Sequence, residues 1–185
     1  MARRAEDDRR ASRASRGDVL CWALALAALL VWWTIIVGAP RWWAGEGVWA
    51  RVGAVGYLAL SRVCHMEPSR CLWVCGAPLG LCARCCGIWA GATLGVLLLP
   101  LVCGFGNRRL PHPRYLWIVA AAVALDAASE RVGLRGSIAW LRVTTGGLLG
   151  LTAACYVMPA MLLAMNQIRS KEGATCNQQA RAATT

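Results

Sequence analysis

Apolar and polar positions alternate along this chain in long blocks. Four apolar runs, Val19–Val37, Cys85–Gly106, Tyr115–Glu130 and Val143–Met165, are separated by stretches that hold most of the charged side chains. Val19–Val37 is 19 residues without a charge, enough to cross about 30 Å of hydrocarbon. The GAPRWWAGEG that follows has two bulky Trp and an Arg where a signal peptide would need a small-residue cleavage site, so the run reads as a retained span. Trp42 and Trp43 fall where interfacial aromatics belong. Tyr115–Glu130 is the marginal span, because it is short and carries Asp126 and Glu130. Val48–Val63, interrupted by Arg51 and Arg62, reads as a helix lying at the interface, with partial insertion as the alternative. The pattern predicts an all-α integral membrane protein with about four transmembrane helices and one interfacial amphipathic helix. A single membrane domain, residues 19–166, would sit between a disordered basic tail (1–18) and a polar C-terminal tail (167–185).

Composition narrows the class. The chain is 58% apolar and 16% charged, against about 45–50% and about 25% in soluble domains. That excludes an ordinary soluble fold, and the 19 glycines show no collagen-like period. The net charge of +11 would suggest nucleic acid on a soluble protein. On a membrane protein it reflects arginine in flanking loops, so the expected partner is the lipid bilayer and no nucleic acid. Basic residues favour the side of the N-tail, the 107–114 loop and the C-tail by 12 to 8, which puts both termini in the cytoplasm. The two loops richest in reactive side chains, 62–86 and 126–142, then share the opposite face. Gly87, Gly91 and Gly95, and Gly146, Gly150 and Ala154, recur at four-residue spacing, the pattern that lets helix backbones approach closely in lipid. These stripes suit packing within one bundle or, alternatively, a homo-oligomer.

Six cysteines, Cys64, Cys71, Cys75, Cys82, Cys85 and Cys86, fall within 23 residues, with His65 beside the first. Cys82-Ala-Arg-Cys85 is a C-x-x-C at the start of the second long apolar run, where the helix dipole and Arg84 both favour thiolate. Three chemistries fit: structural disulfides, a metal site using Cys64, His65, Cys82 and Cys85, or a thiol–disulfide relay with Cys82 and Cys85 as the catalytic pair. Adjacent residues such as Cys64 and His65 seldom both ligate one ion. Cys21, Cys103 and Cys155 lie in apolar runs and read as inert small hydrophobes.

Asp126 and Glu130, at i and i+4, share one helix face at the edge of the hydrocarbon. An acid there costs about 2.5–3.5 kcal/mol on insertion scales and needs a partner or a wet cavity. Arg70, Arg84, Arg131, Arg135 and Arg142 are the candidate partners, with Ser137 nearby. The group reads as a charge pair fixing the third span, as a polar pocket for an anion such as a lipid phosphate, or as a proton-handling site. No GxSxG, HExxH or Walker pattern is present.

The chain resembles an uncharacterised family of small bacterial predicted membrane proteins, a domain of unknown function. Its signature runs CHQxPxRS, CARCxGxYxG, DxxTQ and GLRxS…LRxxTG. The matching residues are Cys64-His65-Met66-Glu67-Pro68-Ser69-Arg70-Cys71, Cys82-Ala83-Arg84-Cys85-Cys86-Gly87, Asp126-Ala127-Ala128-Ser129-Glu130, and Gly133-Leu134-Arg135-Gly136-Ser137 continuing to Leu141-Arg142 and Thr145-Gly146. Met66, Cys71, Cys86 and Glu130 depart from the pattern. The resemblance implies Cys64, His65, Cys82 and Cys85 as the shared chemical set and a bacterial plasma (inner) membrane as the location. It supplies no reaction. The leading expectation is therefore a zinc- or iron-binding module on the non-cytoplasmic face. A thiol–disulfide oxidoreductase, and a lipid-phosphate-binding or lipid-modifying protein using Arg135 and Arg142, are the alternatives.

Overall fold

The computed structural model describes residues 15–182 apart from 75, 76, 135 and 137, with side chains as far as 168, residue 77 excepted. The chain is mostly helical: α1 (Arg16–Trp43), α2 (Val48–Ser61), α3 (Ala83–Cys103), α4 (Arg114–Arg131) and α5 (Ala139–Ala182). Arg16–Trp43, Ala83–Cys103 and Ala139–Ile168 are long and apolar enough to cross a membrane. Their outward faces carry the large side chains, as with Leu101 at 79% exposure. Water would penalise such a surface, whereas lipid accommodates it.

α1 starts at Arg16, inside the segment expected to be tail, because Ser15 and Asp18 form a capping box. The Ser15 hydroxyl accepts from the Asp18 amide at 3.2 Å, and the Asp18 carboxylate accepts from the Ser15 amide at 2.9 Å. The same carboxylate, almost wholly buried, accepts from Arg108 Nη2 at 2.9 and 3.0 Å. α5 continues to Ala182, through the stretch expected to be tail, where no proline interrupts it.

Contacts fix the direction of every long helix. Trp22 Nε1 donates to the Phe105 carbonyl at 3.1 Å, and Trp32 packs on Trp89 with ring centroids 5.3 Å apart, so α1 and α3 are antiparallel. Gly87 faces Val143 and Gly91 faces Gly147, so α3 and α5 run parallel. Between them α4 returns along the bundle. It starts where Tyr156 Oη donates to the His112 carbonyl at 2.8 Å and ends where Asp126 meets Arg84. At 18 residues it is about 27 Å long. Arg114, Asp126, Glu130 and Arg131 make it too polar to join the three candidate spans, and none of its apolar residues is buried.

The expected glycine stripes face one another inside the chain, along α3 and α5, where they let the two backbones touch. α2 folds back on the last turns of α1, with Gly56 against Ala39 and Leu60 fully buried. At 14 residues, about 21 Å, it is too short to cross, and Val48, Trp49, Val55 and Leu58 are exposed on its outer face.

The all-α expectation missed one element. Cys71–Val74 (β1) and Ala77–Cys82 (β2) form an antiparallel hairpin, with Cys71 opposite Cys82, Trp73 opposite Pro78 and an irregularity between Cys71 and Trp73. Leu79 and Leu81 bury themselves among Ile36, Ala39, Leu60, Cys64 and Cys86. That small core plugs the space between α1, α2 and the start of α3. A second cluster of Trp22, Val96 and Met158 closes the other pole.

Candidate metal centre

Three different segments deliver three sulfurs to one point. Cys64 follows the last turn of α2, where its amide donates to the Leu60 carbonyl at 2.9 Å. Cys82 ends β2 and is the residue just before α3, with extended backbone (φ −66°, ψ 158°). Cys85 lies in the first turn of α3. Their Sγ atoms all lie within 4.8 Å of one another. The Cys82 amide donates to Cys64 Sγ at 3.4 Å, the kind of outer hydrogen bond that stabilises a thiolate.

Electrostatics favour the ionised form at the centre of this group. A hydrogen bond from the Cys85 thiol, the largest influence, outweighs burial and holds Cys82 down at about 5. The backbone amides of Cys85 and Arg84 and the Cys64 thiol add to it. The two amides are the share of a helix N-terminus acting on a sulfur. Cys71 behaves oppositely: burial, then the neighbouring Cys64 and Cys82, push it up. Its Sγ is turned to the Glu67 carbonyl at 3.3 Å. Cys86, one residue past Cys85, points into the core towards the Leu81 carbonyl at 3.6 Å.

His65 is not among the three clustered donors. It lines a cleft of about 330 Å³ beside them, together with Glu67, Arg70, Arg84 and Arg131. Met66, at φ 47°, is the one non-glycine described residue in the left-handed region, directly after His65. Arg70 pairs with Glu67 at 2.8 Å on the surface, both side chains about half exposed.

The expected polar pole forms, and it is filled by its own charges. Arg84, between the two cysteines of the C-x-x-C, donates from Nη2 to Asp126 Oδ2 at 2.6 Å and reaches Glu130 Oε2 at 3.4 Å. Arg142 Nε donates to Glu130 Oε2 at 2.9 Å, and its Nη2 binds Glu130 Oε1. Thr145 Oγ1 donates to Asp126 Oδ2 at 3.3 Å. Two acids and two guanidiniums thus join α3, α4 and α5, with Asp126 and Arg142 side chains only 8% and 4% exposed. Arg135 and Ser137 lie outside the described residues, as does Cys75. Two partners escaped the sequence reading. Thr145 stands three residues after Arg142 on the same helix face, a signal that was available. The Asp18–Arg108 pair joins residues 90 apart, and only the acid at the head of an apolar run hinted at it.

Comparison with known proteins places these residues in a family. The family described as "Predicted membrane protein (DUF2085)" matches residues 64–156, which holds the cysteine trio and the ion-pair tetrad. The uncharacterized protein MJ1492 of Methanocaldococcus jannaschii is 30% identical over 141 residues, covering 75% of this chain and 90% of the relative. No solved structure matches the chain.

Proposed function

The chain belongs to the DUF2085 family of predicted membrane proteins, and we propose that it serves there as a metal-binding module held by Cys64, Cys82 and Cys85. The observation that carries this reading is the convergence of three sulfurs within 4.8 Å, the C-x-x-C pair Cys82 and Cys85 joined by Cys64 from 18 residues upstream. Thiolate donors suit zinc or iron among the common divalent ions. The backbone amides of Arg84 and Cys85, at the head of α3, offset the negative charge such a group gathers. His65 and the cleft stand beside the three sulfurs.

Elemental analysis of the full chain, purified in detergent without chelator or immobilised metal, tests this. About one zinc or iron per chain is expected, and none in the Cys82→Ser/Cys85→Ser variant. A metal-free wild type, or a variant that keeps its metal, would overturn the reading.

A second reading is supported by the low-lying Cys82 thiol in contact with Cys85. These two residues form the reactive pair of a thiol–disulfide oxidoreductase. We place the site on the non-cytoplasmic face of a bacterial plasma membrane, with α4 as a fourth crossing and both termini cytoplasmic. The alternating directions of α1, α3, α4 and α5 and the arginine asymmetry support that topology. One labelling experiment addresses both points. After chelator treatment, a membrane-impermeant thiol reagent added to intact cells should modify Cys82. The rate should hold nearly constant from pH 8 down to about pH 6, because a thiol that ionises near 5 stays thiolate throughout that range. Labelling only after permeabilisation would reverse the orientation. A rate falling about tenfold per pH unit would remove the basis for the redox reading.

A further inference from the structure

Three sulfurs leave one position of a tetrahedral ion open, and the hairpin brings a fourth sulfur next to it. Resting on the metal reading above, we propose that Cys71 is the fourth ligand and that the site is a closed tetrathiolate of Cys64, Cys71, Cys82 and Cys85.

The register makes the case. Cys71 is the Cα partner of Cys82 across the β1–β2 ladder. Residues directly opposite in an antiparallel pair place their Cβ atoms about 4.5–5.5 Å apart on the same face of the sheet. Zinc–sulfur bonds of about 2.3 Å at tetrahedral angles put sulfurs about 3.8 Å apart. Cβ atoms at cross-strand distance span that gap without backbone movement. Cys71 Sγ is turned instead to the Glu67 carbonyl at 3.3 Å. A rotation about χ1 exchanges that weak thiol hydrogen bond for the ion.

The other described donors fit less well. Cys86 is committed to the core, its thiol turned to the Leu81 carbonyl at 3.6 Å. His65 follows Cys64 directly, so its ring and the Cys64 sulfur leave the chain in divergent directions. Glu67 is engaged with Arg70. With Cys71 bound, one ion ties together the end of α2, both strands of the hairpin and the head of α3. A closed four-thiolate shell has no position for water or substrate. The site is then a structural clamp or a one-electron centre, and not a hydrolytic one.

The test is a count of sulfur neighbours by X-ray absorption on the zinc-loaded full chain in detergent. The wild type is expected to show four sulfurs at about 2.3 Å. Cys71→Ser should keep one zinc per chain with three sulfurs and one lighter atom, and His65→Ala should still show four. Three sulfurs and one nitrogen or oxygen in the wild type would overturn the proposal while leaving the metal reading intact. A wild type that takes up neither zinc nor iron overturns both. Because three sulfurs in the wild type overturn the proposal by themselves, it stays falsifiable even if Cys71→Ser fails to fold.

Discussion

Gly91→Ala is expected to destabilise the bundle severely, while Gly147→Ala, on the facing helix of the same seam, is expected to be neutral or stabilising. A Cβ on Gly91 would collide with the Gly147 carbonyl, and backbone cannot rotate aside as a side chain can. A Cβ on Gly147 would meet nothing closer than the Gly87 carbonyl at 3.7 Å, ordinary van der Waals contact. Alanine gains about 1 kcal/mol over glycine within a helix, so the two substitutions should move in opposite directions. Forced overpacking costs about 1–3 kcal/mol or more. For a chain this size each kcal/mol shifts the melting point by about 2–4 °C. Thermal unfolding in mild detergent should therefore separate the two variants by roughly 5–15 °C on those scales. Equal melting points would mean that α3 and α5 do not meet at this distance. The consequence reaches the site, since α3 carries Arg84 and Cys85 and follows directly on Cys82, while α5 carries Arg142 and Thr145.

The seam also shows what a sequence can say about packing. Small residues four apart announced close approach on two helices, and those stripes are the faces that meet. Which stripe meets which, and in what direction, depended on contacts between residues more than 50 apart. The cysteine trio was legible because C-x-x-C is local and Cys64 stands out beside His65. That His65 stands outside the trio was not legible, since adjacency in the chain does not say which of two neighbours faces a given point. The hairpin was missed for a related reason. Strands of four and six residues give too short an alternation to register, and only Leu79 and Leu81 carry the inward period. Asp126 and Glu130, at i and i+4 near the end of α4, meet the same Arg84. Their division of partners, Arg84 chiefly to Asp126 and Arg142 to Glu130, is a property of three helices at once.

Arg142→Leu should cost about 3–5 kcal/mol, the penalty for breaking a buried ion pair by removing one partner. Glu130 would keep only Arg84, at 3.4 Å and already committed to Asp126 at 2.6 Å. The acid is too enclosed, at 11% side-chain exposure, for water to replace the lost guanidinium. Glu130→Leu alone should fail for the mirror-image reason, leaving the Arg142 charge buried. The double variant Arg142→Leu/Glu130→Leu removes both charges together, and replacing a buried pair by apolar residues is commonly neutral or better. It should recover most of the stability, giving a large coupling in a double-mutant cycle read by tryptophan fluorescence during denaturation. Additive losses would show that the two residues do not share one ion pair. The same double variant separates a strut from a working part of the site. Arg84 keeps its bond to Asp126 in that protein, so the head of α3 remains anchored and metal content should match the wild type. Recovered stability with lost metal would instead place Glu130 and Arg142 in the electrostatics of the thiolate cluster, through Arg84, and would make the tetrad part of the centre it stands beside.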